Sequence, residues 1–282
     1  VWTFHDCWPI TGKCVHFTKV RCEKWKTGCF DCPQLDCYPD SQRDRSRKSY
    51  LEKKAAFTSI QNLHIVTVSN WLKSIVEESF LGWVDIRCIY NGVDTDRYSF
   101  HDSIIRETYQ LEDKFVILSV ASSWNKGKGL DQLLALTNKL QKDDVIVLIG
   151  IAPDQQKSLP NNVIGVSVIK NQNLLTQWYS TADVYINFSV EETFGLVVAE
   201  AMACGTPAIV MNSTACPEVM DTNTGFVVEP SDLEAVKAAI EEIKTKGKKA
   251  YSLKCKDRIH SLFDLKRMQR EYLELYRELR RL

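Results

Sequence analysis

Several apolar runs in the chain are continuous rather than alternating. Phe115–Ala121, residues 144–151 and Val184–Phe188 carry almost no polar interruption. A strand with one wet face alternates, whereas a strand covered on both faces does not. These runs therefore predict parallel strands with helices on both sides. Shorter apolar runs predict further strands at Val1–Phe4, Leu63–Val68, Val84–Ile89, Pro207–Val210 and, more weakly, Val163–Ile169. Between them the pattern changes to helical spacing. Helices are predicted within 40–57 and over Trp71–Glu78, Leu130–Leu140, Asn171–Thr181, Leu196–Ala203 and Leu233–Thr245. Ser69-Asn70 is a plausible N-cap for the second of these, because a short polar side chain can accept from the first free N–H groups. Over Asp264–Leu282 the apolar residues Leu265, Met268, Tyr272, Leu275 and Leu279 recur at spacings of three and four. They make one stripe along a terminal helix. Strand and helix alternate along the chain, which predicts an α/β protein built on parallel sheets.

A length of 282 residues suggests two domains of ordinary size. The expected division is 1–98, then 99–263, with a terminal helix 264–282 expected to pack back toward the N-terminal domain and a linker near Thr95–Ser103. The hydrophobic content of 44% is enough for true cores. Lys+Arg and Asp+Glu are both 36, so there is no basic excess, and no nucleic-acid partner is expected. The longest apolar run, Val145–Ala152, is too short to cross a bilayer. The chain opens at Val1 directly in a predicted strand, which suggests that a segment precedes it. Its first residues do not read as a signal peptide, and a reduced, cytoplasmic setting is expected.

Six of the ten cysteines lie between Cys7 and Cys37. Cys29-Phe30-Asp31-Cys32 is a C-x-x-C, with Cys22 and Cys14 upstream. Four thiolates at Cys14, Cys22, Cys29 and Cys32 could close a structural zinc site in a loop with little apolar content of its own. Free thiols packed as small hydrophobes, and disulfides, are the competing readings. Arg43, Arg45, Arg47, Lys48, Lys53 and Lys54 follow on a predicted helix. A solvated helix face is the plain reading. A seat for a phosphorylated or lipid-pyrophosphate-linked acceptor is the functional one.

One stretch carries more chemistry than any other. The strand Val184–Phe188 runs into Ser189-Val190-Glu191-Glu192-Thr193-Phe194-Gly195, and a helix of small residues runs out of it to Cys204-Gly205-Thr206-Pro207. The first N–H groups of a helix lack internal partners and carry the positive end of its dipole, so a phosphate is a natural ligand there. Gly195 lets a ligand come close to the backbone. Glu200, inside the helix, could accept hydrogen bonds from ribose hydroxyls. Upstream, the strand Phe115–Ala121, the turn Ser122–Gly129 and the following helix make a second arrangement suited to phosphate.

Glu192 and Glu200 with seven residues between them, Phe194-Gly195 inside, and Ala201-Met202-Ala203-Cys204-Gly205-Thr206-Pro207 after, resemble the retaining glycosyltransferases of family 4. His5-Asp6, Asn91-Gly92-Val93-Asp94, Pro217-Glu218 and Thr224-Gly225-Phe226 match further turns of that family, and the resemblance covers nearly the whole chain. A Cys-rich insert after the His-Asp pair resembles a bacterial subgroup. The resemblance implies a GT-B fold, with two Rossmann-like domains facing a cleft, the N-terminal one incomplete here. It implies a nucleotide-sugar donor (UDP-, GDP- or ADP-linked), a glycan or lipid-linked acceptor, surface polysaccharide biosynthesis, peripheral association with the inner face of the membrane, and no metal for catalysis. Residue by residue, it gives Lys128 and the N–H groups near Gly195 and Leu196 the diphosphate. Glu200 receives the ribose, and Ile169 and Lys170 the base. Phe194 lies in the donor site, and Glu192 and His5 take the donor sugar. Where the family usually has an Arg, this chain has Ser122, leaving Lys126 or a helix N-terminus to supply that charge. Two other readings remain: a non-catalytic nucleotide-sugar-binding or interaction module, and another GT-B enzyme such as a sugar-nucleotide epimerase.

Overall fold

The computed structural model describes residues 1–124 and 126–281, and the side chain of Lys126 lies outside the described residues. The chain divides into two units, residues 1–91 with 191–194, and residues 92–190 with 195–282.

The smaller unit has a three-stranded parallel sheet, β1 (Trp2–Phe4), β2 (His64–Thr67) and β3 (Asp85–Cys88), in that order across the sheet. Trp2 stands opposite Ile65, and Ile65 opposite Ile86. The helix Asn70–Glu77 follows β2, and Ser69 Oγ accepts from the Leu72 N–H at 3.1 Å, the cap that the sequence suggests. Leu72 and Val76 are fully buried with Ile65 and Val66, which makes the apolar layer on that side.

Residues 11–45 of this unit contain only one short 3-10 turn of regular structure beyond the sheet. Polar side chains hold them. The Lys13 ammonium donates to the carbonyls of Gln34, Leu35 and Cys37 at 2.9, 3.2 and 3.0 Å. Lys53 reaches in from the helix Ser46–Thr58 and donates to the carbonyls of Trp8 and Thr11 at 2.7 and 3.0 Å, with its ammonium over the Trp8 ring. Trp25 is buried and stacks on Phe17. Backbone carbonyls withdrawn from water need donors, and an ammonium supplies three. The basic run is thus not simply a solvated face: Lys53, only 7% exposed, is turned inward. Burial pushes its pKa down to about 8.

The zinc expectation for Cys14, Cys22, Cys29 and Cys32 is not supported. All ten cysteines are free thiols. Among the described residues no group of three or more Cys, His, Asp or Glu is placed to hold a metal ion. Cys14 and Cys32 touch through their sulfurs at 3.7 Å, and Cys29 Sγ accepts the Gly12 N–H at 3.1 Å. Burial pushes Cys14 up to about 12 and raises Cys29 as well, which favours the thiol over the thiolate that a metal takes. The lysine clasps and the Trp25 plug supply the fixing that a metal was expected to provide.

The larger unit has a six-stranded parallel sheet: β4 (Phe115–Val120), β5 (Asp144–Ile149), β6 (Val163–Val166), β7 (Val184–Asn187), β8 (Ala208–Met211) and β9 (Gly225–Val228), ordered β6-β5-β4-β7-β8-β9. The Thr-Gly-Phe turn of the sequence pattern is the start of β9, an edge strand. Val116, Ile117, Leu118, Ile146, Val147 and Leu148 are fully buried, as uninterrupted apolar runs demand. Asp183 ties the start of β7 to that of β4: its Oδ2 accepts the Val116 N–H at 2.7 Å and the Arg106 guanidinium at 2.8 Å. The terminal helix, Leu265–Leu279, is capped by Asp264, whose carboxylate accepts from the Lys266 and Arg267 N–H groups. Its start is stitched to Val93 by two backbone bonds, Val93 N–H to Phe263 and Leu265 N–H to Val93, at 2.7 and 2.9 Å. A side chain on Gly92 would stand 2.5 Å from Leu265 Cα, so only glycine fits this crossing. Of the predicted stripe Leu275 is buried, while Leu265, Met268, Tyr272 and Leu279 are half-buried.

Candidate functional site

In an open parallel sheet, ligands bind beyond the C-terminal ends of the strands where the strand order reverses. In the larger unit the chain goes from β4 outward to β5 and β6, then returns to the other side of β4 with β7. The reversal therefore lies between β4 and β7. The loops that leave these strands carry Ser122 to Gly129 on one side and the approach to Gly195 on the other.

The loop after β4 is anchored by Trp124. Its indole N–H donates to the Ile149 carbonyl at 2.9 Å, and its own carbonyl accepts from Gln155 Nε2 at 3.1 Å. Ser122 is exposed and Lys128 half-buried. The loop ends at Gly129, with a φ of +78°; a Cβ there would lie 2.3 Å from the Phe188 Cβ, at the root of the other loop. Glycine is required both for the backbone conformation and for this close passage. The second loop ends at Gly195, with φ +97°, which caps the helix Leu196–Ala203. Leu196, the first helical residue, is 42% exposed, and the first N–H groups of a helix have no partner within it.

Glu200 sits one turn into that helix and is half-buried. Tyr179 donates its hydroxyl proton to Glu200 Oε2 at 2.8 Å, and the Tyr98 hydroxyl bonds the same carboxylate. Burial raises the Glu200 pKa, and the two tyrosine bonds oppose that rise by stabilising the charged form. Both phenols are in turn pushed upward, by burial and by the carboxylate beside them. Neither tyrosine stands out in the sequence, because each falls in an unremarked position of a turn or a helix.

Along the same edge, a cavity of about 580 Å³ lies at the ends of β4, β5 and β6, lined by Ser122, Ser123, Trp124, Gly150, Pro153, Gln155, Ser167 and Val168. Ile169, half-buried, and Lys170, exposed, follow the last of these lining residues.

In the smaller unit, β1 ends at Phe4 and the exposed His5 follows. The His5 carbonyl accepts from Thr193 Oγ1 at 2.8 Å. Glu191 Oε1 accepts the Lys19 N–H at 2.9 Å, and the buried Phe194 ring lies 6.1 Å from that of Tyr90. Glu192, half-buried, is thus held between two anchored neighbours, and His5 and the Glu192 segment are brought together within this unit. One Asp-x-Asp pattern does occur, Asp94-Thr95-Asp96, though the sequence expectation of metal-free catalysis overlooks it. Its groups have structural partners: Asp94 accepts the Arg97 N–H, Thr95 donates to Asp264 at 2.5 Å, and Asp96 pairs with Lys266 at 2.7 Å.

Residues 114–246 match the family model described as glycosyl transferases group 1. The chain is 27% identical over 99% of its length to the putative colanic acid biosynthesis glycosyl transferase WcaC of Escherichia coli, of which the match covers 68%. It is 25% identical, over 67% of its length, to the GDP-mannose-dependent alpha-(1-6)-phosphatidylinositol monomannoside mannosyltransferase of Mycolicibacterium smegmatis, of which it spans 55%. Among solved structures, sucrose-phosphate synthase of Thermosynechococcus elongatus matches with a TM-score of 0.71 at 21% identity, over 87% of this chain and 65% of that one. Anabaena HepE in complex with UDP-glucose matches with a TM-score of 0.70 at 19% identity, over 82% of this chain and 68% of that one. The fold is that of the GT-B glycosyltransferases, residues 114–246 match the group 1 glycosyl transferase model, and the curated relatives of this chain are glycosyltransferases.

Proposed function

We propose that the chain is a retaining glycosyltransferase that takes a sugar from a nucleotide-sugar donor and passes it to a glycan or lipid-linked acceptor in surface polysaccharide synthesis. The observation that carries the reading is at the switch point of the larger unit. There a helix opened by Gly195 carries a carboxylate, Glu200, one turn in, and the loop after β4 carries Lys128 just before Gly129. A diphosphate needs unpaired N–H groups and a cation, and a ribose needs a fixed acceptor. The same edge supplies all three. Lys128 and the first N–H groups of the helix neutralise the diphosphate as it leaves, a preorganised electrostatic contribution of the kind that dominates many enzymes. Glu200 accepts from the ribose hydroxyls. Ile169 and Lys170 lie toward the base. The resemblance gives Glu192 and His5 the donor sugar, where Glu192 orients its hydroxyls or supports an oxocarbenium-like transition state. Retention follows if the acceptor oxygen attacks on the face from which the phosphate departs, forming the C–O bond as the sugar–phosphate bond breaks, with a phosphate oxygen taking the acceptor proton. HepE, a structural neighbour, is described with UDP-glucose. The work is expected at the cytoplasmic face of the membrane. No described helix is long and apolar enough to cross it.

The test is to incubate the protein with UDP-glucose, GDP-mannose and ADP-glucose and to follow release of the nucleoside diphosphate, with the anomeric configuration of the released or transferred sugar read by NMR. Release from one nucleotide series, with the donor's configuration kept, is expected. Inversion would remove the retaining mechanism. Binding without turnover would favour a non-catalytic module.

A further inference from the structure

The Glu200 carboxylate has an unusual setting for a group that must meet a ligand. It is half-buried, and its helix neighbours Ala199, Ala201 and Met202 are fully buried. Tyr179 and Tyr98 grip its oxygens from two different parts of the chain. Tyr179 comes from the helix Gln172–Thr181 and is fully buried. Its ring lies 6.0 Å from that of Tyr185, and its carbonyl accepts from Thr206 Oγ1 at 2.5 Å. Tyr98 comes from the turn that follows Asn91-Gly92-Val93-Asp94. Its N–H donates to the Asp94 carbonyl at 2.7 Å, and the turn is fixed by the Thr95 bond to Asp264. The two rings lie 6.3 Å apart.

We propose that Tyr98 and Tyr179 are positioning residues for the donor site: they clasp the Glu200 carboxylate so that its remaining lone pairs are aimed, ionised, at the ribose diol of a nucleoside diphosphate. The proposal rests on the reading of Glu200 as the ribose acceptor and adds what makes it competent. An ionised carboxylate offers about four acceptor positions, and two phenols leave the others for a ligand. Burial alone favours the neutral acid, which has one proton to donate and fewer lone pairs to offer. Two hydrogen bonds to the charged form counter this. The other groups near the carboxylate do not replace the clasp. Cys204, one turn further along, is pushed up to about 12 and stays neutral, and Lys248 and Lys256 from the neighbouring helix face Cys204. Arg97 acts on Tyr98, and Tyr185 on Tyr179. The clasp also gives the Asn-Gly-Val-Asp turn a role, since that turn sets where Tyr98 stands.

The test uses UDP, GDP and ADP, together with their 2′-deoxy forms, measured calorimetrically against the whole chain and its Tyr98→Phe, Tyr179→Phe and doubly substituted variants. Circular dichroism confirms that each variant is folded. For whichever nucleotide binds the original chain, each single substitution is expected to weaken binding about tenfold, the scale of one hydrogen bond to a charged group. The loss should grow as pH is lowered, because without the phenols Glu200 takes up a proton at higher pH. It should be much smaller for the 2′-deoxy nucleotide. Equal losses for both nucleotides at every pH would reduce the tyrosines to structural supports and overturn the proposal, as would unchanged affinity. If no nucleotide binds the original chain, the donor-site reading fails by itself. The clasp is then judged by the Glu200 carboxyl resonance: a pKa that rises in the Phe variants upholds it, and an unmoved one refutes it.

Discussion

The sheet of the larger unit and the Cys-rich segment of the smaller one are held together in opposite ways. The central strands of the larger sheet, β4, β5, β7 and β8, are apolar runs buried on both faces. Residues 11–45 have no such strands, and the ammonium groups of Lys13, Lys24 and Lys53 fasten carbonyls there instead. The same device appears in the larger unit, where Lys248 donates to the carbonyls of Ser180 and Ala182, both at 2.6 Å, at the corner leading into β7. A lysine clasp serves where the chain turns without enough apolar surface to bury. It is also brittle where a clasped carbonyl has no second donor, as at Thr11, which accepts from Lys53.

The largest effect expected from breaking this comparison is at Lys53. Lys53→Met removes the donor for the Thr11 carbonyl, while the Trp8 carbonyl keeps the Thr11 N–H, and should cost about 2 kcal/mol of stability, from one buried acceptor left unpaired. Limited proteolysis should then open residues 8–45 first, while nucleotide binding by the larger unit persists. Cleavage elsewhere, or an unchanged melting point, would contradict the clasp. Gly195→Ala probes the other region. A side chain at φ +97° is strained and its Cβ would meet Cys216 Sγ at 3.4 Å, so a loss of about 1–2 kcal/mol is expected in the melting of the larger unit.

A smaller effect is in pH. Burial lowers both Lys53 and Lys248 to about 8. Above pH 8 the unfolded chain holds more protons on these lysines than the folded one does, so stability should rise with pH. The buried thiols of Cys14, Cys204 and Cys255 are shifted the other way, up to about 12, so above the ordinary thiol range the folded chain holds more protons and stability falls. The two trends should give a maximum near about pH 9, with a rise of about 1 kcal/mol between pH 8 and that point. Denaturant melts across this range measure it, and Lys53→Met should flatten the rise.

The comparison also explains what could be read from the sequence. The strands β4, β5, β7 and β8 and the helices around them follow from apolar periodicity, and Gly195 and Glu200 from their place at a strand-to-helix junction. The inward turn of Lys53 was not legible, because a lysine in a basic run looks the same whether its ammonium meets water or carbonyls. The sequence leaves the free-thiol state of Cys14, Cys22, Cys29 and Cys32 open for the same reason: spacing permits a metal without saying what else already fixes the loop. Tyr98 and Tyr179 were missed because they meet only in three dimensions, 81 residues apart in the chain.

The most direct measurement is calorimetric binding of UDP, GDP and ADP to the original chain and to Glu200→Ala. Micromolar binding of one nucleotide, weakened about a hundredfold by the substitution, is the predicted result, the scale of a carboxylate holding two hydroxyls. Equal binding to both proteins would contradict the placement of the ribose on Glu200 and, with it, the assignment of the β4–β7 edge as the donor site.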